Sequence, residues 1–192
     1  MSEQIRCFGD TPIYIAYHDN EWGRPVHNDT KLFEMLILEG AQAGLSWITV
    51  LKKREAYQKA FDGFDPKKVA LYGDAKIEEL MANAGIIRNR LKINAAILNA
   101  KLFLEIVAKH GSFDQFIWEY VDFTPIVGSW KTFEGMPLTT PISDKISRDL
   151  KKIGFKFVGS TIIYSFMQAV GMVNDHLASC LVFDEILKEQ KA

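Results

Sequence analysis

Apolar residues recur at intervals of three and four along most of this chain, which is the spacing of one face of an α-helix. The segment 30–43 shows this pattern, with Asn28 or Asp29 placed to cap its first turn and Gly44 placed to end it. A longer amphipathic segment, 89–109, carries apolar side chains along one face. These patterns predict an all-α fold.

Shorter helices are predicted over residues 46–61, 65–71, 74–85, 112–120, 143–153, 160–170 and 174–181. No segment alternates convincingly between apolar and polar residues, as a half-buried strand does. Residues 122–141 contain three prolines and two glycines, which indicates an irregular connection that is either functional or poorly ordered. The tail after Asp184 is polar, and we expect it to fray.

The length of 192 residues, with 48% hydrophobic and 24% charged residues, fits one compact unit spanning residues 1–192. No apolar run reaches the roughly 18 residues that a membrane span needs. The segment Met1–Gly9 lacks the apolar region of a secretory signal, so we expect a cytoplasmic protein, with a monomer as the default state. The formal net charge of −1 argues mildly against nucleic-acid binding but leaves room for a local basic patch.

Four residues suggest a metal site. His176 and Cys180 are four apart on a predicted helix, so their side chains should share one face. Cys7 and His18 near the N-terminus could complete a Cys2His2 set, which suits a closed tetrahedral zinc site of structural type. The plainer interpretation, that these are four unrelated residues, stays open on spacing alone.

The segment 150–159 indicates a turn between two helices that could hold a phosphate. Gly154 and Gly159 allow positive φ angles and close backbone approach, and the helix that begins at Ser160 points free N–H groups outward. Three lysines add local positive charge at positions 151, 152 and 156. The pattern resembles a helix-hairpin-helix element of DNA-binding proteins, although a plain helical corner is about equally compatible with it.

Glu39 lies on the apolar stripe of the helix predicted over 30–43, where a carboxylate is either paired with a cation or active in chemistry. A solvated glutamate at the edge of the stripe is the plainer interpretation. Four aromatic residues with polar atoms are suited to hold a flat, electron-poor heterocycle by stacking and cation–π attraction. They are Tyr14, Tyr17, Trp22 and Trp47.

Taken together, these motifs resemble the DNA-3-methyladenine glycosylase I family, within the helix-hairpin-helix glycosylase superfamily. The resemblance covers roughly residues 7–180, excluding most of 122–141. The segments that carry it are YIAYHDNEWG (14–23), LFEMLILEG (32–40), AGLSWITVLKKRE (43–55), AGIIRNR (84–90), GFKFVG (154–159) and YSFMQAVGMVNDH (164–176). Several long motifs in one order are far more specific than any single spacing.

The resemblance implies an all-α, helix-hairpin-helix glycosylase fold, with the hairpin element at about 143–171 and a zinc site joining the N-terminal arm to the last helix. The implied zinc ligands are Cys7, His18, His176 and Cys180. The implied base pocket has Glu39 and Tyr17 as catalytic residues and Tyr14, Trp22 and Trp47 as base-binding residues. The implied DNA contacts are Gln42, Gly44, Leu45, Gly154, Lys156, Gly159 and Ser160, with Leu45 as a candidate wedge into the duplex.

The implied activity is hydrolysis of the glycosidic bond of 3-methyladenine in duplex DNA, leaving an abasic site without strand cleavage. We expect 3-methylguanine to be a poorer substrate and 7-methylguanine to be ignored, because a site of paired polar groups rejects bases that leave those groups unpaired. Many superfamily members place a catalytic aspartate where this chain has Asn174 or Asp175. Asp175 could instead orient the neighbouring ligand His176.

Two other functions fit parts of the pattern. A zinc-stabilised module that binds DNA without chemistry would keep the turn and the metal, and Glu39 and the aromatic residues would then be core. A zinc hydrolase acting on a small molecule would need an open metal position, usually with three protein ligands. Release of a base from alkylated DNA separates the first from a glycosylase, and four candidate ligands argue against the second.

Overall fold

The computed structural model describes residues 5–190; the expectations on a secretory signal and on a unit spanning 1–192 fall partly outside the described residues. Within that range the α-helices are α1 (Pro12–Asn20), α2 (Asp29–Gln42), α3 (Trp47–Leu51), α4 (Arg54–Ala60), α5 (Pro66–Val69), α6 (Asp74–Ala82), α7 (Arg90–His110), α8 (Phe113–Trp118), α9 (Pro141–Ile153), α10 (Ser160–Ala169) and α11 (Phe183–Glu189). None of them is both long and apolar enough to cross a bilayer. The mainly helical prediction is confirmed.

Helix α2 is the centre of the fold. Asn28 caps it, as predicted, by accepting a hydrogen bond from the Lys31 backbone N–H at 3.0 Å. Every residue from Leu32 to Ala41 is buried, because α3, α7, α8 and α10 all pack against α2. The helix ends where Gly44 adopts a φ of +79°, a conformation that glycine tolerates best. This end of α2 carries Glu39 and Gln42.

Helices α9 and α10 pack against each other, and α10 also packs on α2. The connection between them begins at Gly154, whose φ of +119° ends α9. It leans on the last turn of α2: a Cβ on Gly40 would lie 3.2 Å from the Phe157 Cβ. The contact brings the 154–159 connection beside the C-terminal end of α2.

The helix predicted over 46–61 is broken into α3 and α4 by a turn at residues 52–53. There the Lys53 backbone N–H bonds to the Val50 carbonyl at 2.9 Å, which tightens the chain out of α-helical geometry. The Lys53 ammonium also bonds to the Ala84 carbonyl, so tertiary contact holds the break. Periodicity could not show this, because apolar residues continue across the turn.

The helix predicted over 174–181 is wrong. Residues Val173–Asn174 form a short strand, β2, parallel to β1 (Ile126–Val127), and the chain then turns irregularly as far as Cys180. Contacts with distant residues hold this backbone: the Ala178 N–H bonds to the Trp130 carbonyl at 2.9 Å. These long-range contacts outweigh the local helical propensity of the segment. The 122–141 connection is otherwise irregular, as predicted, apart from β1 and one 3₁₀ turn.

Two further helices lie where no helix was predicted. Helix α1 was missed, and the tail expected to fray forms α11. Arg24 holds α11 by ion pairs to Glu185, at 2.8 Å, and to Glu189. The buried Ile186 gives the short helix an apolar anchor, so the polar composition of the tail was a poor guide.

Candidate active site

Three of the four residues predicted to bind metal form a buried cluster. One ligand atom from each of Cys7, His18 and Cys180 lies within 4.8 Å of the other two. The fourth, His176, adjoins them, with its ring centroid 4.8 Å from that of His18. Its Nε2 atom is buried and has no hydrogen-bond partner among residues 5–190, so this atom is available to bind a cation. The cluster could therefore bind a metal ion.

The hydrogen bonds around this cluster leave the ligand atoms available. Asp19 contacts His18 Nδ1 at 2.7 Å and is itself held by Arg6 at 2.8 Å. Asn174 contacts His176 Nδ1 at 3.1 Å. Each imidazole is thus fixed through Nδ1, with Nε2 left to face the cluster. A hydrogen bond from Cys7, and then one from His18, lowers the pKa of the Cys180 thiol, which favours the thiolate that metals bind.

The prediction that His176 and Cys180 share one face of a helix is wrong, since both lie in the irregular chain after β2. Cys180 nevertheless joins the cluster, because the N-terminal arm runs beside this segment: the Ile5 N–H bonds to the Ser179 carbonyl, and the Leu181 N–H to the Ile5 carbonyl. The four residues are therefore neighbours in the fold.

An aromatic pocket of about 170 Å³ adjoins the cluster. It contains all five residues predicted to form the base pocket, together with four others. The lining residues are Phe8, Tyr14, Tyr17, Trp22, Glu39, Gln42, Trp47, Ser165 and Gln168. The metal cluster and the pocket share a wall, because Phe8 follows Cys7 and Tyr17 precedes His18. Trp22 belongs to both, with its ring centroid 4.5 Å from that of His176.

Glu39 is the most perturbed acid of the pocket. Its side chain, only 4% exposed, makes no hydrogen bond to any residue between 5 and 190. Burial raises the pKa of Glu39 to about 8, with no neighbouring cation to oppose the effect. The plainer interpretation, a solvated glutamate at the edge of α2, is wrong. A buried carboxyl without a partner, at the wall of a pocket, is a group available to a ligand.

The tyrosines and tryptophans surround this carboxyl. Tyr17 is buried, and burial followed by the charge of Glu39 raises the pKa of its phenol. Tyr14 is half-buried and its pKa is raised by burial and by the charges of Asp10 and Glu39. Trp47 lies with its ring centroid 5.3 Å from that of Tyr17, and its Nε1 donor is buried without a partner among the described residues. Aromatic faces and unpaired polar atoms thus meet in one small space.

A groove of about 240 Å³ continues from this pocket past the end of α2 to the start of α10. Glu39, Gln42 and Ser165 line both spaces, which makes the groove and the pocket continuous. Gly44 and Leu45 also line the groove, and the Leu45 side chain is 41% exposed. The predicted DNA contacts of this loop therefore lie together.

The 154–159 connection lies beside the C-terminal end of α2, but none of its predicted contact residues lines that groove. Lys156 has an exposed side chain, while its backbone N–H and carbonyl both bond to Asn99 at 2.9 Å. Gly159 has a φ of −61°, so the expectation of a positive φ there is wrong; it is the extended N-cap of α10. A Cβ on Gly159 would meet nothing within 4 Å, which leaves its surface open to a partner.

Helix α10 begins with backbone N–H groups that no residue of the described chain accepts, because the first bond within the helix joins the Ile163 N–H to the Gly159 carbonyl. The Ser160 hydroxyl is occupied by Asp144 at 2.5 Å and by Ser143 at 2.9 Å. Ser160 can therefore offer its backbone N–H, rather than its hydroxyl, to an anion.

Asp175 does not orient His176. It is 1% exposed, and its carboxylate accepts hydrogen bonds from Trp130 and Tyr164, each at 2.6 Å, and from Gln168 at 2.8 Å. Asn174 has the role that was suggested for Asp175, through its contact with His176. Neither residue lines the pocket, so neither occupies the place of a catalytic base.

The sequence analysis missed Phe8, Ser165 and Gln168. Phe8 directly follows a predicted metal ligand, and the other two lie in the 164–176 motif at helical spacing from each other. These positions were available as signals, but which face of α10 meets α2 depends on tertiary packing.

Residues 7–183 match the model of a family described as methyladenine glycosylase. DNA-3-methyladenine glycosylase 1 of Escherichia coli is 54% identical over 181 residues, covering 94% of this chain and 97% of that protein. DNA-3-methyladenine glycosylase of Haemophilus influenzae is 49% identical, with 94% and 97% covered. A structure of 3-methyladenine DNA glycosylase I from Staphylococcus aureus, solved for the structural basis of 3-methyladenine recognition, has a TM-score of 0.90 at 37% identity, covering 93% of this chain and 96% of the other.

Proposed function

This chain belongs to the methyladenine glycosylase family, and we propose from that premise that its aromatic pocket binds 3-methyladenine flipped out of duplex DNA. It is a DNA base-excision glycosylase, which hydrolyses the bond between a damaged base and its sugar. The observation that carries the site assignment is Glu39, a buried carboxyl without a partner at the wall of an aromatic pocket.

The chemistry of the lesion matches this pocket. Methylation at N3 leaves the base in DNA cationic, so its glycosidic bond is already weakened and little leaving-group acid catalysis is needed. The enzyme must still extrude the nucleotide, which costs a few kcal/mol and is easiest for a damaged pair. Once inside, the cation favours the ionised form of Glu39, and aromatic faces attract it through their quadrupoles.

Each pocket residue then has a role. Glu39 accepts hydrogen bonds from the polar edge of the base, and Tyr17 fixes the orientation of that edge. Trp47 stacks on the ring, with Tyr14 and Trp22 completing the walls. Water attacks C1′ of an oxocarbenium-like sugar, the neutral base leaves with the bonding electrons, and an abasic site remains. No lysine lines the pocket, so the reaction stops there without strand cleavage by an imine.

The groove beside the pocket receives the DNA. Leu45 fills the space that the flipped nucleotide leaves, with Gln42 and Gly44 beside it. The backbone N–H groups at Ser160 and the open surface at Gly159 hold a phosphate, and the exposed Lys156 adds charge near Gly154. The use of backbone N–H groups explains how a chain of net charge −1 holds DNA, because they bind phosphate without adding formal charge.

Zinc is the metal that the cluster suits best. Two thiolates and two imidazoles form a closed tetrahedral set, which is typical of structural rather than catalytic zinc. Cys7, His18, Cys180 and His176 would hold it, and the ion would supply the link between the N-terminal arm and the chain after β2. Since Phe8 and Tyr17 adjoin two ligands, the ion would also fix one wall of the pocket.

Base release tests the proposed function directly. The purified chain is incubated with methylated duplex DNA, and the freed bases are separated by chromatography. We expect 3-methyladenine to be released, 3-methylguanine to be released less, and 7-methylguanine to remain in the DNA. Folded protein that binds this DNA and frees no base would instead support a DNA-binding module without chemistry.

Metal removal tests the zinc assignment. A chelator should lower the free energy of unfolding by several kcal/mol, because structural zinc sites contribute on the order of 10 kcal/mol in small zinc domains. Thermal unfolding with and without chelator, together with elemental analysis, measures this. His18→Ala should reproduce the loss, and His27→Ala, outside the cluster, should not. Loss of turnover with unchanged unfolding would instead indicate a catalytic metal.

A further inference from the structure

Gln168 on α10 is a pocket residue that the mechanism above does not use. It lines the aromatic pocket together with Glu39 and Trp47. Its backbone is fixed, because the Gly23 N–H bonds to the Gln168 carbonyl at 2.9 Å. The side chain therefore starts from a rigid position on the wall.

The orientation of the Gln168 carboxamide is determined by its neighbour. Its Nε2 donates to Asp175 Oδ2 at 2.8 Å and lies 3.6 Å from the Met136 sulfur. A buried carboxylate accepts hydrogen bonds and cannot donate them, so the amide nitrogen, rather than the oxygen, must face Asp175. The Oε1 atom consequently points away from Asp175, and it makes no hydrogen bond within the part of the chain that the structure describes.

Asp175 is itself rigid, which makes it an effective orienting group. Trp130 and Tyr164 occupy it from two other directions, each at 2.6 Å, and together with Gln168 they supply three donors to one buried carboxylate. A Cβ on Gly128 would lie 2.7 Å from Asp175 Oδ1, so the backbone also closes around it. Rotating Gln168 would place two oxygens against each other and leave the charge short of a donor.

We propose that Gln168 Oε1 accepts a hydrogen bond from the exocyclic amino group of the bound adenine, and that Asp175 is the positioning residue that directs this oxygen. The inference rests on the proposed function and extends it to specificity. Guanine presents a carbonyl oxygen at the position of that amino group, and two acceptors would then face each other. Gln168 thus contributes to the choice of adenine over guanine, in addition to any contact from Glu39.

The test compares two free bases, 3-methyladenine and 3-methylpurine, which lacks only the exocyclic amino group. Binding is followed by the fluorescence of the pocket tryptophans. Wild-type protein should prefer 3-methyladenine about tenfold, as expected for one hydrogen bond whose loss leaves a partner unpaired. In Gln168→Met, which keeps the length but removes the acceptor, the preference should fall well below the wild-type value, and what remains should reflect the contact of the amino group with Glu39. Gln168→Leu replaces it if the methionine variant fails to fold.

Tyr164→Phe is the matched control. It removes one hydrogen bond from the same Asp175 oxygen as Gln168 does, but Tyr164 does not line the pocket. It should keep the tenfold preference and the discrimination against 3-methylguanine in DNA. An unchanged preference in Gln168→Met, or an equal loss in Tyr164→Phe, would overturn the inference while leaving the enzyme a glycosylase. Wild-type protein that bound neither base would instead overturn the proposed function itself.

Discussion

Helix α2 contains two buried glutamates in opposite electrostatic environments. Glu34 is 5% exposed and Glu39 is 4% exposed, so burial alone does not distinguish them. Glu34 contacts Arg54 at 2.7 Å, Gln58 at 2.9 Å and Lys31 at 3.2 Å. Glu39 has no comparable partner among residues 5–190. The end of the helix at Glu34 is electrostatically complete, because cations compensate its carboxylate. The end at Glu39 is open, because its carboxyl lines a pocket without such a partner.

The two glutamates consequently have opposite pKa shifts. Burial would raise the pKa of Glu34, but the hydrogen bond and the charge of Arg54 outweigh burial and lower it. Burial acts on Glu39 unopposed and raises its pKa to about 8. Paired burial stabilises the fold, whereas unpaired burial costs stability and persists where a ligand supplies the missing partner. We therefore assign structure to the Glu34 end of α2 and function to the Glu39 end.

The largest expected effect comes from breaking the complete end. Arg54→Met removes the partner that Glu34 shares with Glu21 and leaves the partly exposed Lys31 as the remaining cation beside the buried Glu34 carboxylate. Loss of one member of a buried pair costs about 3–5 kcal/mol, and the remaining lysine should keep the loss near the lower end of that range. Urea unfolding should show this loss, while the affinity for free 3-methyladenine, measured on the folded fraction, should change much less.

Lys59→Met provides the control for Arg54→Met. It also removes a cation of α4 that pairs with a glutamate, but this pair, between Lys59 and Glu55, is highly exposed. Exposed pairs contribute about 1 kcal/mol or less, so this variant should unfold nearly as wild type does. Equal losses of unfolding free energy from the two variants would mean that the buried pair of Arg54 and Glu34 contributes no more stability than an exposed pair.

The open end should respond with opposite signs in activity and stability. Glu39→Gln keeps the shape of the side chain but removes the charge that meets a cationic base. Loss of a hydrogen bond to a charged group should lower kcat/KM by about tenfold to a hundredfold. The same variant should be more stable than wild type at pH 8, because the wild-type carboxyl is fully ionised and solvated in the unfolded chain but is buried without a partner in the folded protein. A variant with wild-type excision would remove Glu39 from the mechanism.

The course of α2 could be predicted from sequence, because its cap at Asn28, its apolar spacing and its end at Gly44 are all local signals. The contrast between its two glutamates could not. Arg54 and Gln58 lie on α4, beyond the unpredicted break at residues 52–53, and no periodicity shows which glutamate they reach. Glu39 was selected by its place on the apolar stripe and by family resemblance, and its burial and raised pKa became visible only in the fold.

The metal cluster teaches a related lesson. Cys7, His18 and Cys180 lie together and His176 adjoins them, although the helix invoked for His176 and Cys180 does not exist. Residue chemistry and resemblance were informative there, and local geometry was misleading, because strand pairing at Val173–Asn174 and contacts with the N-terminal arm decide the backbone. Gln168 was missed for the same reason: its partner Asp175 is close in sequence, but the pocket that it lines is assembled from α1, α2 and α10.

The smallest expected effect, for a change of one pH unit, is the titration of Glu39. The folded protein holds this proton up to about pH 8, whereas the unfolded chain releases it near the ordinary glutamate value of 4.5. Between those values the native state binds more protons, so the free energy of unfolding falls as pH rises, on the order of 1 kcal/mol per pH unit from this group. Glu34, with its lowered pKa, acts in the opposite sense: its contribution is present at neutral pH and is lost as pH falls.

Activity should follow the same titration with the opposite sign. Because the cationic lesion needs the carboxylate, kcat/KM should rise with pH towards pH 8 and level off above it, in total by no more than the roughly tenfold to hundredfold that Glu39→Gln loses. Subtracting the profiles of Glu39→Gln from those of wild type, in unfolding and in excision, isolates this one group from all others. A difference that stayed flat between pH 5 and 8 in both measurements would place Glu39 in a polar environment, and the contrast with Glu34 would then disappear.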